Sequence, residues 1–150
     1  MKRIGLVGCV KAKLDTPQIA CELYTSALFK GRRLYVETSC TEWWILSAKH
    51  GLVHPEELLS PYDFTLKKAT KKGRMIWSKR VLEAINERID VTAGDVFEIH
   101  AGIEYRNFGV AAGIRRKGCL VSVPTIGMGI GKQLKFYKEQ NYLQQLDRKL

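Results

Sequence analysis

Short, nearly uninterrupted apolar runs alternate along this chain with longer stretches in which apolar residues recur every three or four positions. The runs are Arg3–Val10 (RIGLVGCV), Glu42–Ser47 (EWWILS), Asp95–His100 (DVFEIH) and Cys119–Val123 (CLVSV), each of a length that suits a strand buried on both faces. Helical spacing begins after Thr16-Pro17, a cap and first-turn pair, with Ile19, Leu23, Ala27 and Leu28 as the stripe. It ends near Gly31, and Arg32–Thr38 either continues it or follows a turn there. A long amphipathic helix is predicted over Thr65–Ile89, with Met75, Leu82, Ile85 and Ile89 on one face and Ile76 and Val81 beside it. Two more helices are expected at Glu104–Arg116 and Gln133–Leu150, the last with Leu134, Tyr137, Tyr142, Leu143 and Leu146 as its apolar positions. Strands that alternate with helices predict a mostly parallel, four-stranded central sheet flanked by helices, in a single α/β domain spanning residues 1–150.

Parallel strands place their carboxyl ends along one edge of the sheet, where α/β proteins bind ligands. Every predicted strand here ends in chemistry. The first runs into Cys9, Lys11 and Lys13; the second into Ser47, Lys49 and His50; the third into His100, Glu104 and Tyr105; the fourth into a glycine-rich loop, Gly127, Gly129 and Gly131. The segment Ile45–Leu66 is the richest, because an apolar run stops abruptly at small and polar residues and leads to Pro61, Tyr62 and Asp63. That loop is read here as carrying ligand groups to a site.

The charge changes the picture most. Twenty-five Lys and Arg against fifteen Asp and Glu give a net charge of +10, the electrostatic footprint of a polyanion partner. The excess concentrates in Lys67, Lys68, Lys71, Lys72, Arg74, Lys79 and Arg80, and again in Arg115-Arg116-Lys117. The first cluster is expected to contact a nucleic-acid backbone. Four scattered cysteines and three histidines form no C-x-x-C or helical H-x-x-x-H pattern, so no metal and no cofactor is expected. No apolar run is long enough for a membrane span, and no secretory signal stands at Met1-Lys2-Arg3. A cytoplasmic protein with free thiols and no membrane partner is therefore expected.

Among the strand-end residues, His100 suits a general acid or a group that stabilises negative charge on a base oxygen. A buried histidine satisfied by backbone is the competing reading. Asp63 and Glu104 suit activation of water or stabilisation of an oxocarbenium ion, against roles as a turn residue and a first-turn helix acid. Cys9 is a candidate nucleophile or a small buried hydrophobe. Tyr62 and Tyr105 are placed to stack on a base, whereas Trp43 and Trp44 suit the core. The glycines at 127, 129 and 131 would let backbone N–H groups reach an anion at a helix N-terminus. Lys11, Lys13, Ser47, Lys49 and His50 complete the expected ligand-binding set.

With these residues in view, the chain resembles a family of small bacterial and phage domains of unknown function, over nearly its whole length. The pieces that carry the likeness are Gly8-Cys9-x-Lys11-x-Lys13, Leu23-Tyr24-x-Ser26-x-Leu28-Phe29, Leu46-Ser47-Ala48-Lys49-His50-Gly51-Leu52, Pro61-Tyr62, His100-Ala101-Gly102-x-x-Tyr105 and Pro124-x-x-Gly127-x-Gly129-Ile130-Gly131-x-Gln133-Leu134. More distantly, Leu46-Ser47, Gly51-Leu52, Pro55, Leu58 and Pro61-Tyr62 are similar to a stretch of the YaaA peroxide-stress proteins, which bind DNA. Cys9, Lys11, Tyr24 and Ser26 resemble a pattern in the core domain of archaeosine synthase, which acts on a modified base in transfer RNA. These resemblances imply a uracil-DNA-glycosylase-like α/β fold and a nucleic-acid base or nucleoside as ligand. The G-Q-D-P-Y and H-P-S-P motifs of uracil-DNA glycosylases are absent, so glycosylase chemistry comes by analogy of fold.

The expected function is that of a nucleic-acid-associated enzyme recognising a modified or damaged base, by N-glycosidic cleavage or base modification, with DNA ahead of RNA as partner. A non-catalytic DNA-binding stress module and a nucleotide- or nucleoside-processing enzyme are the alternatives.

Overall fold

The computed structural model describes residues 1–9 and 12–149. Its centre is β1 (Arg3–Gly8), in which Ile4–Gly8 are all buried. β1 pairs in parallel with β3 (Glu42–Ser47) on one side and with β6 (Val96–His100) on the other. β7 (Leu120–Ser122) extends the sheet in parallel beyond β6. The second run thus crosses to one side of β1 and the third to the opposite side. That reversal of strand order opens a crevice at the carboxyl end of β1.

The sheet has five strands and not four: its order is β4-β3-β1-β6-β7, with β4 (Gly51–Val53) antiparallel at the edge. The sequence reading placed β4 in a loop. Gly51, at φ 72°, lets the chain double back after Ala48–His50 and lay Leu52 and Val53 against Leu46 and Ile45. A separate two-stranded ribbon joins β2 (Gln18–Ile19) to β5 (Leu58–Leu59).

The first helical stretch breaks at Tyr24–Ser26, not at Gly31. α1 (Ala20–Leu23) is one turn, and α2 (Ala27–Ser39) runs unbroken through Gly31. The Ser26 hydroxyl caps α2 by accepting from the Phe29 N–H at 3.0 Å. The long helix begins after a 3₁₀ turn at Leu66–Lys68 and is α3 (Lys71–Arg88), capped by Thr70. Its buried face is Trp77, Ser78, Val81 and Ile85, so Met75 and Ile76 face solvent, contrary to the predicted stripe. Trp77 decides this, since its indole N–H also donates to the Ser47 carbonyl at 2.9 Å. The next helix divides at Asn107–Gly109 into α4 (Ile103–Arg106) and α5 (Val110–Arg116). α6 (Ile130–Lys149) starts three residues ahead of the predicted Gln133 and buries Tyr137 and Asn141, leaving Tyr142 and Leu143 exposed.

α2 packs on α6 and on β1, whereas α3 packs on α5 and β4, giving two helical layers around the sheet. Among the described residues no helix is long and apolar enough to cross a membrane. Trp44 is buried in the core and Trp43 packs at its margin. One close approach positions the site: a Cβ at Gly8 would lie 2.7 Å from Ala101 Cβ. Only glycine lets the end of β1 come this near the turn after β6, which sets Cys9 beside Gly102–Tyr105.

Candidate functional site

A cleft of about 460 Å³ opens at the carboxyl edge of the sheet, within the size range of small-ligand sites. Its floor is Cys9, immediately after β1, with Gly102, Glu104 and Tyr105 from the start of α4. One wall is Leu28 and Arg32 of α2 with Ile130 and Gln133 of α6. The other is the loop Asp63–Thr65 and the 3₁₀ turn, with Lys67 and Lys68 at the rim. Of the four strand ends expected to converge, the cavity joins that of β1 with the segment after β6, together with the loop after β5; the residues expected from the ends of β3 and β7, namely Ser47, Lys49, His50 and the glycines 127, 129 and 131, do not line it.

The Cys9 thiol is held by phenols. Tyr62 donates its hydroxyl to Sγ at 3.4 Å, and the Tyr105 hydroxyl lies 3.6 Å from it. The Tyr62 hydroxyl also meets Tyr24 at 2.7 Å and Ser47 Oγ at 2.8 Å, and Ser47 Oγ accepts the His50 N–H at 3.1 Å. Burial, and then the proximity of Cys9, raise the pKa of all three tyrosines well above the usual phenol range. They remain O–H groups at neutral pH, able to stabilise negative charge that develops on the sulfur.

Arg32 is 4% exposed. One guanidinium nitrogen donates to the Gly8 carbonyl at 3.2 Å and the other to Gln133 Oε1 at 3.1 Å. Among the described residues its Nε–H has no hydrogen-bond partner, and no carboxylate forms an ion pair with it. Burial pushes its pKa down, and the neighbouring Tyr137 hydroxyl opposes that shift.

Behind Arg32 runs a buried relay. Arg3 Nε donates to Glu98 Oε2 at 2.5 Å, Glu98 Oε1 meets His100 Nε2 at 2.6 Å, and His100 Nδ1 meets the Tyr137 hydroxyl at 2.6 Å. Burial opposes ionising Glu98, but hydrogen bonds and charge from His100 and Arg3 outweigh it and lower its pKa. Burial also lowers the pKa of His100, against the pull of Glu98. An ionised Glu98 only accepts, so Nε2 carries the proton and Nδ1 accepts from Tyr137. The Tyr137 hydroxyl, a neighbour of Arg32, thus gives its proton to His100.

His100, fully buried with both ring nitrogens engaged, does not line the cleft; it stands one layer behind it. Cys9, Asp63, Glu104, Tyr105, Lys67 and Lys68 do line it. Ser47 and Tyr62 do not line it: Tyr62 meets Cys9 through its hydroxyl, and Ser47 meets Tyr62. Lys49 borders a separate hollow with Trp77 and Arg80, and His50 another with Leu52 and Glu83. Both sit outside the cleft because the Ala48–His50 turn carries them toward α3. Lys13 pairs with Tyr24 in a single bridge and lies over the Tyr62 ring, 4.4 Å from its centroid. Lys11 lies outside the described residues. Gly127 and Gly129 precede α6 and Gly131 is its second residue; none of them lines the cleft, which Ile130 and Gln133 reach in their place. Lys71, Lys72 and Lys79 stand with Met75 and Ile76 on the outer face of α3, while Arg80 faces the Lys49 hollow. Arg74 is spent internally, donating to the Leu66 and Lys67 carbonyls at 2.8 and 3.0 Å, and so pins the lysine-bearing turn.

Arg32 is a site residue that the sequence pattern alone does not single out. Its signal is positional: Phe29, Arg32 and Val36 are the buried residues of α2, so Arg32 is a charge at a core-facing position. Gln133, its partner, gives no comparable sign.

These features stand in a chain whose residues 4–139 match a model described as "Family of unknown function (DUF6884)". The chain belongs to that family. By sequence the chain is also similar to "Uncharacterized protein YfjM" of Bacillus subtilis (strain 168), 38% identical over 72 residues, covering 43% of this chain and 48% of YfjM. The chain spans about half the length of the curated relative it matches.

Proposed function

We propose that this DUF6884 chain is an enzyme that takes a modified or damaged base of a nucleic acid, DNA ahead of RNA, into the cleft and acts at its N-glycosidic bond. The observation that carries the reading is the meeting of two carboxylates and a thiol, Asp63, Glu104 and Cys9, in one cavity whose rim bears Lys67 and Lys68. The rim lysines would hold backbone phosphates, and Lys71, Lys72 and Lys79 on the adjoining face of α3 would extend that contact. A target nucleotide would swing out of its strand to enter, as base-processing enzymes require.

Glu104, half-buried at the start of α4, is the better placed carboxylate. It would orient a water whose oxygen bonds to the sugar C1′ as the C1′–N bond breaks, while Asp63 opposes the positive charge developing on the sugar. Glu104 would take the proton that the water gives up, and the base leaves with the bonding electron pair and takes up one proton, from Glu104 or from solvent, so that the carboxylate is restored. Cys9, with its phenol donors, would line the base pocket. His100 becomes a positioning residue that acts through Tyr137 on Arg32. A uracil-DNA-glycosylase-like arrangement, and the resemblance to YaaA proteins and to the archaeosine synthase core, belong to this proposal and lend it direction; the family description and the name of YfjM do not.

The test is incubation with single- and double-stranded oligonucleotides carrying a panel of modified bases, followed by mass spectrometry of bases and strands. The expected result is a free base and an abasic strand from at least one substrate. Binding with no mass change across the panel would overturn the enzyme reading in favour of a binding module.

A further inference from the structure

We infer that the wall of the cleft formed by Arg32 and the first turn of α6 is an oxyanion site that takes a phosphate group of the ligand. Charges buried in proteins are paired, because an unpaired one forfeits its hydration without return. Arg32 breaks that rule: it is buried, it has no ion-pair partner among the described residues, and its Nε–H is unsatisfied. Asp63 and Glu104 share the cavity, yet neither forms an ion pair with it. The missing counter-charge is therefore to be supplied by what binds there.

The second observation lies on the same wall. α6 is a 20-residue helix whose first turn enters the cleft at Ile130 and Gln133. Its opening N–H groups lack intrahelical acceptors and carry the positive end of the helix dipole. A Cβ built on Gly129 or Gly131 would meet nothing within 4 Å, so the backbone there is open to approach. The 3.1 Å bond from Arg32 to Gln133 ties the guanidinium to that turn, so the uncompensated charge and the open helix start share one wall of the cleft. A tetrahedral oxyanion with several acceptor atoms suits such a donor set.

The inference rests on the proposed function only in taking the cleft as the ligand site, and it holds whatever bond is cleaved. It is tested with the full chain by calorimetric titration at low salt, using uridine 5′-monophosphate, uridine and inorganic phosphate. The nucleotide is expected to bind at least about tenfold more tightly than the nucleoside, the scale of one or more charge-assisted hydrogen bonds. Phosphate that binds as tightly as the nucleotide supports the site and makes free phosphate its occupant.

Gln133→Glu separates a ligand site from a structural role for Arg32. It places a carboxylate where Oε1 now sits, supplying the counter-charge internally. The variant also loses the bond from Gln133 Nε2 to the Met128 carbonyl at 3.0 Å, which offsets the gain from the new ion pair, so it is expected to stay folded with a melting temperature close to wild type and to lose about tenfold in nucleotide affinity. Equal affinity for nucleotide and nucleoside, or nucleotide binding that Gln133→Glu leaves unchanged, overturns the inference. Neither result touches the oligonucleotide assay, which stands or falls on base release.

Discussion

Glu98→Ala is expected to lower the unfolding free energy by about 3–5 kcal/mol, the cost of removing one partner from a buried charged network. For a domain of this size that corresponds to a melting temperature lower by roughly 10 °C or more. The reason lies in the direction of the relay. Glu98 accepts from Arg3 and from His100 Nε2, and without it the His100 N–H is buried with nothing to receive it. The tautomer of His100 is then no longer fixed, and the Tyr137 hydroxyl loses its assigned acceptor.

The same network predicts how stability depends on pH. The folded pKa of His100 lies below its ordinary value, so between the two the unfolded chain binds more protons and stability falls as the pH drops below about 6.5. Glu98 is likewise shifted down; its contribution is present above its unfolded value and is lost as the pH falls through its folded one. Urea unfolding across pH 4–8 should therefore show stability declining with acidity below about 6.5; in Glu98→Ala, which removes the group that holds the His100 pKa up, the decline should continue to lower pH. A variant within about 1 kcal/mol of wild type, with an unchanged pH profile, would mean that the relay does not hold the core.

Glu104→Gln is expected to reduce turnover on the responsive oligonucleotide by about 100-fold or more, the scale of a general acid–base contribution, while affinity stays within about twofold. Charge reversal at the rim should do the opposite. Lys67→Glu with Lys68→Glu should weaken strand binding by at least about tenfold and lower the salt slope by about two, since each phosphate contact contributes nearly one unit. Single-turnover rates with saturating protein, together with anisotropy titrations at several salt concentrations, separate the two effects. Both sets of substitutions acting on affinity alone would contradict the assignment of Glu104.

The four parallel strands were legible because β1, β3, β6 and β7 are short apolar runs between helical stretches; burial holds for β1, β3 and β6, whereas β7 is a three-residue edge strand that leaves Leu120 exposed, contrary to the expected burial on both faces. β4 was not, because Gly51–Val53 is too short to show a period and its reversal depends on one glycine's backbone angle. The α3 face was misassigned because Met75 and Ile76 are apolar yet exposed, while Ser78 is buried by donating to the Arg74 carbonyl at 2.8 Å. At the site, topology alone brought Cys9, Glu104 and Tyr105 together. It could not separate His100 from them, because neighbouring residues of a strand point to opposite faces and the outward one is not marked in the sequence. Nor could it supply Arg32, whose importance comes from what fails to meet it.

The most direct test of the central claim is an amide chemical-shift titration of the ¹⁵N-labelled protein with a single-stranded oligonucleotide. Shifts centred on Cys9, Gly102 and Tyr105 on the floor, with Lys67 and Lys68 at the rim, are the predicted result. Shifts confined to Lys71, Lys72 and Lys79 on the outer face of α3, with the cleft amides unmoved, would contradict it.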